Sequence, residues 1–209
     1  MNIQILAASV IPMILAITVH EAAHAFAAYK FGDTTAKSLG RMTLSPFSHI
    51  DPVGTLLIPA ITLLTGGFFF GWAKPVPVNT AALNNPKKDM FWVAAAGPAS
   101  NFIMAFLWAF LAFKPSGDST LMLFLHTMAI SGVMINLSLM ALNLLPIPPL
   151  DGSRLVDRFL PYHLSRKWSD LDQYGLWIVL GLSFFGVLSL MMSPLMWLGM
   201  SVLRAITPL

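Results

Sequence analysis

The chain has 209 residues, of which 56% are hydrophobic and 10% charged, with a mean hydropathy of +0.74. That balance excludes an ordinary soluble domain and places the chain among polytopic membrane proteins. The absence of cysteine excludes a disulfide framework, a thiolate metal site and a cysteine nucleophile. The net charge of +3 sits in short loops beside apolar runs, where cations set membrane topology rather than grip nucleic acid.

Apolar runs extend over Ile3 to Tyr29, Val53 to Trp72, Met90 to Phe113, Leu121 to Leu145 and Tyr174 to Leu209. The first four are near the length of one span, about 20 residues. The last can hold two, with Ser193-Pro194 as the expected bend. No basic leader precedes the first run, so it is expected to be retained as a transmembrane helix, kinked at Pro12. Within it lies Thr18-Val19-His20-Glu21-Ala22-Ala23-His24. On a helix, residues four apart share a face, which lets His20 and His24 each offer an imidazole nitrogen to one Zn²⁺. Glu21 lies about 100° round the helix from His20, where a general base stands beside metal-activated water. It is the only glutamate in the chain. An unpaired carboxylate at membrane depth costs roughly 3 kcal/mol or more, so it points to function.

Three basic clusters follow: Lys30, Lys37 and Arg41; Lys74, Lys87 and Lys88; Arg154, Arg158, Arg166 and Lys167. The positive-inside rule places all three in the cytosol. With both flanks on one side, Val53 to Trp72 cannot simply cross. Its Pro59, Gly66-Gly67 and Gly71 suit a re-entrant hairpin, the alternative being a plain fifth span. Alternating residues over Ala36 to Pro46 suggest a strand, and Phe70 to Asn79 a second one at an edge, forming a small sheet at the membrane face; ordinary loop is the competing reading. The expected architecture is therefore all-α and polytopic, a single domain over residues 1–209. It comprises five to six transmembrane helices, the hairpin and the sheet, with a catalytic core over 1–152 and C-terminal helical segments over 153–209.

A catalytic zinc site needs a third protein ligand. Asp33 and Asp51 lie in the first loop, Asp89 and Asp118 flank the third run, and Asp151 closes Asn143-Leu144-Leu145-Pro146-Ile147-Pro148-Pro149-Leu150-Asp151-Gly152. The prolines break the helix there, and the turn can aim the Asp151 carboxylate back into the bundle. Spacing alone leaves two readings of Asp151 open, ligand or helix cap. His49 and Asp51 form an alternative metal pair or orient the loop. Asn101 and Asn136 suit hydrogen bonds between helices, Gly97-Pro98 suits close packing on the motif helix, and His126 and His163 read as structural.

His20-Glu21-Ala22-Ala23-His24, Ala96 to Asn101 and Asn143 to Gly152 together resemble the site-2 protease family of intramembrane zinc metalloproteases. Arg41 to Thr55 and Phe70 to Asn79 resemble its compact prokaryotic branch. The resemblance implies one Zn²⁺ held by His20, His24 and Asp151, with Glu21 as general base and Asn143 engaging the substrate or oxyanion. It implies transmembrane protein substrates, a lipid bilayer setting, and a prokaryotic cytoplasmic membrane with the site toward the cytosol. An unwound substrate is expected to add along Gly40, Arg41, Met42 and Thr43. Some relatives carry a PDZ or cytosolic regulatory domain, and neither is expected within these 209 residues. A metal-ion or proton transporter is the competing function, since acidic residues and histidines in membranes also mark ion pathways.

Overall fold

The computed structural model describes residues 3–57, 74–112, 119–207 and 209. Among these residues the secondary structure is helical, with no strand. The α-helices are α1 (Ile3–Lys30), α2 (Thr35–Ser38), α3 (Pro86–Leu111), α4 (Thr120–Asn143), α5 (Asp151–Asp157), α6 (Tyr162–Ser169), α7 (Gly175–Phe184) and α8 (Val187–Ile206). Four of them, α1, α3, α4 and α8, are long and apolar enough to cross a membrane, and only 17% to 33% of each apolar window is buried inside the protein. Lipid is the solvent suited to the remaining hydrocarbon surface.

Among the described residues there are thus four candidate spans, against the five to six expected of the whole chain. In the C-terminal run, Pro194 lies inside α8, and the break falls instead at Gly186 with φ +72°, a left-handed conformation that suits glycine. The preceding α7 has ten residues, about 15 Å, half of a hydrocarbon core of about 30 Å. The run therefore holds one full-length helix, not two. Of the expected hairpin, Pro52–Leu57 forms a π-helical turn, and residues 58–72 lie outside the described residues.

The three helices α1, α3 and α4 pack on one another along rows of every fourth residue. The buried row of α1 is Ala8, Pro12, Ala16, His20, His24 and Ala28, and that of α3 is Asp89, Val93, Gly97, Asn101, Ala105 and Ala109. Such rows are the ridges by which helices interdigitate. Their small residues let backbones approach closely, the main source of helix association where surrounding lipid is as apolar as leucine. Below the polar stretch, Ala105, Trp108, Ala129, Val133 and Leu137 form the main apolar cluster, closed by Leu203 of α8.

After Lys30 the chain turns through a Schellman motif. Gly32 takes φ +106°, Gly32 N–H donates to the Tyr29 carbonyl and Asp33 N–H to the Ala28 carbonyl. This delivers a buried Asp33, whose carboxylate accepts from Thr35 N–H at 2.9 Å and Asn79 N–H at 2.7 Å. Burial works to raise the Asp33 carboxyl, but the bonds from Thr35 and Asn79 outweigh it and hold it below its usual value.

The strand expected over Ala36 to Pro46 is absent. Asp33 starts a helical turn at Thr35, Gly40 adopts φ +67°, and Arg41 N–H returns to the Ala36 carbonyl at 2.8 Å instead of pairing with a neighbour. Of the second expected strand, residues 70–73 lie outside the described residues, and Lys74 to Asn79 forms no regular secondary structure. Pro75 and Pro77 have no N–H to donate. Arg41 donates to the Lys74 and Pro75 carbonyls at 2.9 and 3.3 Å. Lys74 N–H donates to the His49 carbonyl at 3.0 Å. Side chains and one loop carbonyl thus take the bonds that a sheet would use.

A Cβ added at Gly132 would overlap the Trp108 ring. Gly132→Ala is expected to destabilise the fold by roughly 1–3 kcal/mol, the range for overpacking a filled core. Denaturation in detergent checks this, and an unshifted midpoint would show that Trp108 moves aside freely.

Candidate metal centre

His20 and His24 stand one turn apart on the buried face of α1, directly opposite Gly97 of α3. A Cβ at Gly97 would overlap His24 Nε2 and crowd His20 Cε1, so the imidazoles occupy the space left by the missing side chain. The close packing expected of Gly97 is what the structure shows. Each ring is oriented through its other nitrogen: His20 Nδ1 bonds Asn101 Oδ1 at 2.6 Å, and His24 Nδ1 bonds the Val93 carbonyl at 2.7 Å. Carbonyl oxygens only accept, so both Nδ1 atoms carry the proton and both Nε2 lone pairs point inward.

Asp151 approaches from the opposite side. Gly152 packs so tightly that a Cβ there would overlap the Leu144 and Leu145 carbonyls, which seats the start of α5 directly on the end of α4. The cap position of α5 is Leu150, and the Asp151 carboxylate faces the imidazoles instead of capping its helix. Its Oδ2 lies 3.3 Å from His20 Nε2 and 3.3 Å from His24 Nε2, and the two Nε2 atoms are 3.0 Å apart. Oδ2 is buried and accepts no hydrogen bond.

This donor set fits a zinc ion. Nitrogen and oxygen ligands about 2.0–2.1 Å from tetrahedral zinc lie about 3.3 Å from one another, close to all three observed edges. Two inward lone pairs and an unpartnered carboxylate oxygen are also what a cation satisfies. Among the described residues this is the one group of three able to hold a metal.

Glu21 lies beside this trio on a shared cavity of about 980 Å³, lined also by Asn143, Val76 and Arg154. Its Oε2 accepts from Val76 N–H at 2.7 Å. Asn143 donates from Nδ2 to the Leu139 carbonyl at 3.0 Å. Met42 packs with Ala25 and Val76 and Arg41 donates to the Lys74 and Pro75 carbonyls, whereas none of Gly40, Arg41, Met42 and Thr43 lines the cavity itself. His49 is buried, bonds the Thr43 carbonyl at 2.9 Å and receives Lys74 N–H. Asp51 accepts from Val53 and Gly54 N–H. These two orient the loop and are not brought to the metal trio. His126 and His163 also stand apart from it. Val93 and Val76 act through their backbones, which left no residue-type signal in the sequence.

The family model described as peptidase family M50 matches residues 8–132 and 115–187, so the likeness extends beyond Gly152. The chain is 42% identical over 171 residues to "Putative zinc metalloprotease YwhC" of Bacillus subtilis, an alignment covering 79% of this chain and 75% of that protein. It is 31% identical over 166 residues to the protein of Mycolicibacterium smegmatis named as Rip2 with the same description, covering 79% of this chain and 62% of that one. No solved structure matches the chain.

Gly97→Ala is expected to weaken zinc binding about 10-fold or more by displacing His24. Competition with a chromophoric chelator reads this directly, and unaltered affinity would show that the helices part without disturbing the pair.

Proposed function

The chain belongs to peptidase family M50, a zinc metalloprotease family, and on that premise we propose that it cuts peptide bonds in or near the membrane-spanning segments of other membrane proteins. The observation that carries the reading is the meeting of His20, His24 and Asp151 on one cavity inside a bundle of span-length apolar helices. These three residues hold one Zn²⁺, which when bound polarises the scissile carbonyl and acidifies water. Asp151 and Glu21 together balance the divalent charge.

Glu21 takes the proton of the attacking water and returns it to the leaving amide nitrogen. The Val76 N–H on its Oε2 fixes the side chain. Asn143, on the same cavity, bonds the substrate backbone or the oxygen that gains charge. Gly40, Arg41, Met42 and Thr43 border the entering peptide as a turn beside the 74–79 segment, without a sheet to extend. A helical substrate hides its carbonyls in i to i+4 bonds, so it unwinds locally before attack.

The metal trio lies toward the C-terminal end of α1, the N-terminal end of α3 and the C-terminal end of α4, and Lys30, Lys37, Arg41, Lys87 and Arg154 follow from those ends. By the positive-inside rule that end faces the cytosol of a prokaryotic cytoplasmic membrane. A metal-ion or proton transporter is not favoured. Within the four apolar helices the acidic residues are Glu21 and Asp89, and Asp89 accepts Asn85 N–H at the start of α3, so among the described residues no row of acidic groups runs along these helices.

Glu21→Gln is expected to retain zinc and lower proteolysis by about 10²- to 10⁴-fold. Zinc content measured alongside cleavage of a single-span substrate decides it, and undiminished cleavage rejects Glu21 as the base. Substrate helices bearing Gly or Asn near the cut site are expected to be cleaved faster than the same helices bearing Leu. Equal rates in reconstituted vesicles would remove local unwinding as a requirement.

A further inference from the structure

We propose that Asn101, itself held by Asn136, is a positioning residue that sets the tautomer of His20 and through it the zinc affinity of the chain, an inference that rests on the metal-centre reading above. Both asparagines are 0% exposed, in helices where lipid offers no partner to a stray amide. Their hydrogen bonds run in one direction. Asn136 Nδ2 donates to the Gly132 carbonyl one turn back in α4, at 2.9 Å. That carbonyl can only accept, so the amide nitrogen must face it and Asn136 Oδ1 must face α3. There Oδ1 accepts from Asn101 Nδ2 at 3.1 Å, and the same Nδ2 donates to the Ala16 carbonyl of α1 at 3.2 Å.

Both hydrogens of Asn101 Nδ2 are thereby committed, and only its oxygen remains for His20 Nδ1, 2.6 Å away. The opposite tautomer of His20 would set a lone pair against a lone pair. The network, anchored by backbone carbonyls on α1 and α4, therefore holds the proton on Nδ1 and leaves Nε2 free for a cation. His24 receives the same restraint from the Val93 carbonyl, which no side-chain substitution removes. Asn101 is thus the side chain through which the restraint on the pair can be altered.

Two substitutions separate positioning from mere joining of helices. Asn101→Leu removes the acceptor and both donations, whereas Asn101→Asp keeps an acceptor for His20 Nδ1 and loses the amide donors. In the purified full-length chain, titration of zinc against a chromophoric chelator is expected to show Asn101→Leu weakened about 10-fold or more. Asn101→Asp should match or exceed the parent, although both variants denature earlier. If Asn101 only joins helices, affinity follows stability and the two variants fall together, which overturns the proposal. Nitrogen-15 spectra of the zinc-free, histidine-labelled protein give an independent reading, with His20 assigned by its loss in His20→Gln. The parent and Asn101→Asp should show His20 protonated on Nδ1 and Asn101→Leu a mixture. A parent protonated on Nε2 overturns the proposal without any variant. A parent that takes up no zinc would overturn the metal-centre reading and the affinity claim with it, whereas a zinc-binding parent equalled by Asn101→Leu overturns the role of Asn101 alone.

Discussion

A cluster of two imidazoles and two carboxylates inside an apolar bundle imposes one requirement on everything around it: each polar atom needs a partner that water does not supply. The packing of α1 against α3 meets that requirement at a single level. Gly97 removes a side chain where the imidazoles need volume, and Val93 and Asn101, four residues to either side on the same ridge, supply the acceptors that orient them. The four-residue rhythm that lets the helices interdigitate is therefore also what sets the glycine, the carbonyl and the amide against the histidines in register.

The remaining two groups, Asp151 on α5 and Glu21 on α1, depend on the chain outside the long helices for their setting. Asp151 comes from the first turn of a short helix pressed onto the end of α4, where Gly152 permits contact with the Leu144 and Leu145 carbonyls. Glu21 is held through Val76, and Val76 belongs to a proline-bearing segment fastened to the first loop by Asp33, Arg41 and His49. These hydrogen bonds connect that loop to the proposed base without passing through the metal ligands. The site thus divides between a rigid interhelical half, which suits a metal, and a half carried by loop backbone, which suits a group that must meet an entering peptide.

The same loop shows why alternation misled. Ala36 to Pro46 reads as a strand because apolar and polar residues alternate, and Phe70 to Asn79 reads as its edge partner. Alternation reports only which faces differ, not whether backbone groups are free to pair. Here Asp33 starts a helical turn, Gly40 reverses the chain and the Arg41 guanidinium takes two carbonyls that a neighbouring strand would need. Tertiary hydrogen bonding overrode the local pattern. The bend expected at Ser193-Pro194 failed for a related reason: a helix continues through proline when its surroundings allow it, whereas Gly186 adopts a left-handed conformation costly to other residues.

By itself the sequence determined the solvent, the class of chemistry and the residues able to carry it. Apolar run length depends only on composition, and the spacing of His20, Glu21 and His24 depends only on helical periodicity. Family likeness extended that to Asp151 and Asn143, which no periodicity links to the motif helix. Tertiary structure alone decided that Asp151 is turned toward the imidazoles rather than capping its helix, that Asn101 and Val93 orient them, and that Val76 holds Glu21. Those choices depend on which backbone carbonyls and amides are left unpaired once α1, α3 and α4 close on one another, and side-chain spacing along a single chain carries no record of that.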